Sequence, residues 1–168
     1  MSAIASVRLI EKEKIPKLRE MAGMEPMTKK ALSGSDKEVT DPFWDWFREN
    51  TTEIATLGWS GFIYNTLIIY LKKKRDVDLF NLEMSEVSNF LTKKRPYLMI
   101  LFTAGDAAKL AGKLSPSSFS ALDIKKYYEE FDEEKSPYPP ESFIDAIQML
   151  YEALLNVSDN QVLIFNMA

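Results

Sequence analysis

In the stretch YYEEFDEE, acidic residues crowd together: Glu129, Glu130, Asp132, Glu133 and Glu134 fall within six positions. Carboxylates in such numbers could hold magnesium, or divide the work of an acid and a base, if an enclosed site drove their pKa values apart. Nothing in the flanking sequence predicts that enclosure. Negative charge at a helix C-terminus also opposes the helix dipole, so the cluster gives the helix no stability. A solvated face is the plainest account of it, a docking surface for a cationic partner comes next, and catalysis or metal binding comes last.

All three tryptophans fall within DPFWDWFRENTTEIATLGWSGF, positions 41–62. At about 100° per residue, Phe43, Trp46, Phe47, Ile54 and Leu57 share one stripe, which predicts a core-facing helix with Trp46 buried. Trp44 sits on the flank of that stripe, and Trp59 lies between Gly58 and Gly61. These two rings have the weakest claim to burial. With the carboxylates of Asp45 and Glu49 beside Trp44, they make a candidate hot spot for a basic protein partner.

Much chemistry is absent from the chain. It has no cysteine and no histidine, which removes disulfides, thiol nucleophiles, sulfur-bound metals and the commonest general base. Catalysis would rest on Asp, Glu, Lys, Arg, Tyr, Ser or Thr. The stretch GDAAKLAGK follows an apolar run, as a phosphate loop does, but six residues separate Gly105 from Gly112, and Leu114 follows Lys113. A phosphate loop requires four residues there and a closing Ser or Thr. Alanine filler predicts a closed helix instead.

Net charge is -4 over 168 residues, which argues against broad binding of nucleic acid. The basic runs Lys72 to Arg75 and Lys93 to Arg95 each end an apolar helical pattern, where cations complement the helix dipole. A nucleic-acid surface would need both runs on one face. The opening residues carry no secretory pattern, and the longest apolar run, 62–71, is too short to span a membrane. A cytoplasmic protein with no membrane partner and no cofactor is the expectation.

These groups must be positioned by elements built from the rest of the chain. Positions 4–10 read as a strand, and 11–21 as a helix with Ile15, Leu18 and Met21 inward. Positions 22–41 read as a mobile loop containing Gly23, Pro26 and Gly34. Asp41 and Pro42 supply an N-cap and a first helical residue. Segment 62–71 is apolar at nearly every helical angle and suits a central helix, with a buried strand as the other solution. A helix through Met84, Val87, Phe90 and Leu91 stops at Pro96, and 97–103 is a buried strand.

A further helix opens with Ser120 and Asp123 in capping-box order and turns Ile124, Tyr127, Tyr128 and Phe131 inward. Phe143, Ile147, Leu150, Tyr151 and Leu154 mark the inward face of the last helix, and 161–168 is a strand that must be paired in a sheet. The sum is a single α+β domain whose small sheet combines N-terminal, central and C-terminal strands under several helices.

Three stretches are similar to the YfbM-like family of small bacterial proteins: the opening IASVRLIEKEKIPKL, the tryptophan-bearing DPFWDWF, and the ending DAIQMLYEALLNVSDNQVLIFNMA. The resemblance implies an α+β fold in a bacterial cytoplasmic protein and supplies no catalytic residues.

The functional expectation is a non-catalytic interaction domain of the immunity type, which neutralises a toxin or basic effector by covering it. Its candidate partner-binding residues are Trp44, Asp45, Glu49, Trp59, Glu129, Glu130, Asp132, Glu133 and Glu134. The alternative is a hydrolase or transferase using the 129–134 carboxylates, with magnesium as a candidate cofactor. That alternative requires at least two of them to converge in a pocket.

Overall fold

The structure, a computed structural model, describes residues 3–30, 37–132 and 136–168. Its centre is a four-stranded antiparallel sheet in the order β4-β1-β6-β5. The strands are β1 (Ala5–Glu11), β4 (Thr52–Thr56), β5 (Leu98–Phe102) and β6 (Gln161–Met167). The C-terminal strand therefore lies in the interior of the sheet, where Val162, Leu163, Ile164 and Phe165 are buried on alternating faces.

Helices cover both faces. On the first, α3 (Ile63–Arg75), α5 (Ala104–Ala111), α6 (Ala121–Asp132) and α7 (Pro140–Leu155) pack over Val7, Ile100, Phe102, Leu163 and Phe165. The second face carries α1 (Ile15–Gly23), α2 (Pro42–Asn50) and α4 (Ser85–Lys94), over Ile10, Met99, Leu101, Val162 and Ile164. Strand alternation sends neighbouring residues to opposite cores, so β6 holds the two together. The α+β class expected from the element order is the class observed.

Segment 62–71 is helical. Within α3, Ile63, Tyr64, Thr66, Leu67, Ile68, Tyr70 and Leu71 are all buried, as suits a helix enclosed by the sheet and by α6 and α7. Its last turn carries Lys72, Lys73, Lys74 and Arg75 at the negative end of the dipole. The alanine-rich segment after β5 is also a closed helix. Thr103 and Asp106 cap it reciprocally: the Asp106 amide donates to Thr103 Oγ1, and the Thr103 amide donates to Asp106 Oδ2, each at 3.1 Å.

Four expectations are corrected. Within the stretch 22–41 read as a loop, β2 (Met27–Lys30) pairs with β3 (Lys37–Thr40), and positions 31–36 lie outside the described residues. Secondly, α2 stops at Asn50, and Ile54 belongs to a strand rather than to the helical stripe. The end of α2 is closed by side chains: Asn50 Nδ2 donates to Trp46 O at 2.9 Å, and Thr51 Oγ1 donates to Phe47 O at 2.7 Å. The Phe47 carbonyl also accepts from the Thr51 amide at 3.1 Å, so the side chains add second donors to the last turn, and the β-branched Thr51 and Thr52 then favour extended chain. Trp46, expected in the core, is half-buried at its margin, and Phe131, expected inward, is exposed.

Candidate interaction face

The segment between β4 and α3 makes a tight corner at Gly61. A Cβ at this position would lie 3.0 Å from Ala5 N and 3.1 Å from Met167 Cγ, so glycine lets the chain press against the end of the sheet. The Gly61 amide donates to Ala3 O at 2.7 Å, and the Leu57 amide to Ala5 O at 2.9 Å. Large apolar side chains emerge from this corner: Trp59 is 37% exposed, Phe62 38% and Ile4 59%. The Trp59 indole is fixed, because Nε1 donates to Asp145 Oδ2 on α7 at 2.8 Å.

That hydrogen bond joins the corner to the outer side of α7. The helix carries Glu141, Asp145 and Glu152 and no lysine or arginine. All three carboxylates are exposed, and none forms an ion pair among the described residues. Spacings of four and seven residues place them on one side of the helix, over roughly 16 Å at 1.5 Å per residue. An ordered ring beside uncompensated carboxylates can stack on a guanidinium or ammonium group and neutralise it.

The other candidate residues are dispersed. Trp44 is a half-buried member of an aromatic group on the second face, edge-on to Phe43 at 4.7 Å, Tyr97 at 5.1 Å and Phe47 at 5.7 Å. It is not the free ring that its wheel angle suggests, because Tyr97 at the start of β5 meets it on the flank of the stripe. Asp45 is exposed and pairs with Arg48 on its own helix, and Glu49 borders a groove of about 270 Å³ with Glu11, Lys14 and Thr51.

On α6, across the sheet from α2, Glu129 accepts from Lys125 Nζ at 2.6 Å and from the Ser136 amide at 3.2 Å. Glu130 is exposed and lies 3.9 Å from Lys126 Nζ. Glu130 borders a groove of about 300 Å³ with Tyr70, Lys74, Asp123, Lys126 and Tyr127, without Glu129. The Asp132 side chain, Glu133 and Glu134 lie outside the described residues.

No protein-family model, curated protein or solved structure matches the chain. The candidate site therefore rests on geometry alone.

Two features had no distinct signal in the sequence. The first is a cleft of about 720 Å³ between α5 and the 76–83 segment, bordered by Asp76, Asp78, Asn81, Glu83, Lys109 and Lys113. Its charges are matched: Lys72 pairs with Asp78 at 2.7 Å, Lys109 with Glu83 at 3.4 Å and Lys113 with Asp76 at 3.3 Å. A hydrogen bond from Lys72 holds the Asp78 carboxyl below its ordinary range, and one from Thr103 does the same for Glu83. Both are firmly ionised at neutral pH, which unsuits them as general acids. No group of three acidic side chains is arranged to hold a metal among the described residues.

The second is Arg95, last of a basic run and only 4% exposed. Its Nη1 donates to Asp41 Oδ2 at 2.6 Å, and its Nη2 donates to Met24 O at 2.9 Å and Met21 O at 3.1 Å. The guanidinium lies 4.5 Å from the Phe43 ring centroid. One side chain thus joins the C-terminal carbonyls of α1 to the N-cap of α2, at the base of the β2–β3 hairpin. Lys93 and Lys94 remain exposed in the last turn of α4. Since α3 and α4 cover opposite faces of the sheet, the two basic runs do not form the shared surface that nucleic-acid binding would need.

No helix among the described residues is long and apolar enough to cross a membrane.

Proposed function

We propose that this chain is a non-catalytic, cytoplasmic interaction domain that binds a basic protein through the Trp59 corner and the outer side of α7. The observation that carries this reading is the Trp59 indole, exposed yet fixed by its 2.8 Å hydrogen bond to Asp145. A preordered aromatic anchor loses little side-chain entropy on binding, and Trp is enriched among residues that dominate interface energy. Glu141 and Glu152, exposed on the same side of α7, steer a cationic partner toward it. Covering a basic toxin or effector in the manner of immunity proteins is the biological form this fits best.

The test begins with capture of the partner by the full chain from its native cell and continues with affinities measured on purified components. Trp59→Ala is expected to weaken binding by about 2 kcal/mol or more, the range of interface anchors, while Leu122→Ala on α6 leaves it unchanged. A captured protein that binds Trp59→Ala as tightly as the parent chain would refute the assignment.

A further inference from the structure

Arginine is used repeatedly in this chain in one way: its guanidinium lies on an aromatic ring while its nitrogens reach a carboxylate nearby. The Arg95 guanidinium lies 4.5 Å from the Phe43 centroid, and its Nη1 donates to Asp41 at 2.6 Å. Arg8 lies 5.5 Å from the Phe47 centroid and pairs with Glu53 at 2.6 Å. Arg19 lies 5.0 Å from the Phe90 centroid and pairs with Glu86 at 3.2 Å. Three of the five arginines in the sequence therefore fill a seat made of a ring and a carboxylate. By comparison, Lys74 stands 5.8 Å from the Tyr127 centroid and forms no ion pair among the described residues.

Trp59 and Asp145 make a seat of the same composition, and no cation of this chain occupies it among the described residues. The indole Nε1 donates to Asp145 Oδ2 at 2.8 Å, which sets a carboxylate at the edge of the ring. Both residues are exposed, and Asp145 Oδ1 accepts no hydrogen bond among the described residues. Donation to an anion polarises the indole and makes its face more negative, so the ring attracts a cation more strongly than an unbonded one would. Glu141 adds a second carboxylate one helical turn from Asp145.

We infer that this seat takes an arginine side chain of the basic partner in preference to a lysine, an inference that rests on the partner-binding reading above and narrows it to one anchor chemistry. A guanidinium is planar, so it lies flat on an indole and still directs N–H groups past the edge of the ring to a carboxylate. An ammonium is compact and strongly hydrated. It gives up more hydration to reach the ring and presents no flat face to it.

Two blocked amino acids of equal charge, N-acetyl-arginine amide and N-acetyl-lysine amide, are the probes, titrated into the isotope-labelled full chain. The indole N–H signals of the three tryptophans are read by NMR, with Trp59 assigned by the signal lost in Trp59→Phe. The arginine probe should shift the Trp59 signal with saturation in the millimolar range, bind about threefold or more tighter than the lysine probe, and leave the Trp44 and Trp46 signals in place. Asp145→Asn keeps an oxygen that accepts from the indole but loses the charge, so it should weaken arginine binding about fivefold or more. Glu152→Gln, two turns away, should leave that affinity unchanged. Equal affinity for the two probes would overturn the arginine preference and leave a cation-binding face standing. A Trp59 signal that neither probe moves would overturn the seat itself. The partner-binding reading fails separately, when the captured protein is indifferent to Trp59→Ala.

Discussion

Single residues hold unrelated elements together here, and their removal should be felt well beyond the site changed. Arg95 is the clearest case. Substitution to Ala leaves the Asp41 carboxylate without its cation and frees the Met21 and Met24 carbonyls, so the loss of stability should reach about 3 kcal/mol in urea unfolding. Arg95→Lys should recover only part of it, because an ammonium cannot reproduce the planar fork that reaches three acceptors. At Gly61, substitution to Ala forces a methyl group against Ala5 and Met167 and should cost about 1–3 kcal/mol, read as a fall in Tm. Glu83 predicts a pH dependence. Its carboxyl is held low chiefly by the Thr103 hydroxyl, with help from Lys109. A lowered folded-state pKa contributes stability that is complete above the unfolded value and disappears as pH falls through the folded one. The stability difference between the parent chain and Glu83→Gln should thus be constant above about pH 5 and shrink steadily in acid.

Elements that carry a periodic pattern could be read from the sequence, and those defined by a single distant contact could not. The stripe Phe143, Ile147, Leu150, Tyr151 and Leu154 specifies α7; four of the five are buried as expected, and Tyr151 is half-buried at the margin. The all-round apolar character of α3 likewise reflects its enclosure. By contrast, β4 was hidden because Ile54 and Leu57 happen to continue the angular stripe of α2, while the chain turns extended at Thr51 and pairs with β1, more than 40 residues away in sequence. The β2–β3 hairpin carries no strong alternation, and its base is fixed by Arg95, which local sequence cannot distinguish from its lysine neighbours. Of the candidate site, the exposure of Trp59 was legible from its flanking glycines, whereas its bond to Asp145, 86 residues away, was not. The edge of β5, where the Met99 amide donates to Thr92 Oγ1 and the Leu101 amide to Ser88 Oγ at 3.0 Å each, offers a test at this scale. Ser88→Ala with Thr92→Val should expose the Met99 and Leu101 amides to faster hydrogen exchange and cost about 1–3 kcal/mol for each buried amide left unpaired.

At the scale of the whole molecule, the sheet is closed on both faces by helices, so the partner proposed above would meet what projects from their outer sides and from the ends of the sheet. On α6, Glu129 and Glu130 are answered within the helix by Lys125 and Lys126, and around the 76–83 cleft Asp76, Asp78 and Glu83 are answered by Lys113, Lys72 and Lys109. On α7, Glu141, Asp145 and Glu152 have no cationic partner among the described residues, and the corner beside them exposes a fixed tryptophan. This contrast concentrates unpaired negative charge and apolar surface in one region, the combination a basic partner would recognise. Hydrogen exchange of the full chain with and without its purified partner tests the claim most directly. Protection confined to residues 57–62 and the outer side of α7 is the predicted footprint; protection centred on α2 or α6, with 57–62 unchanged, would contradict it.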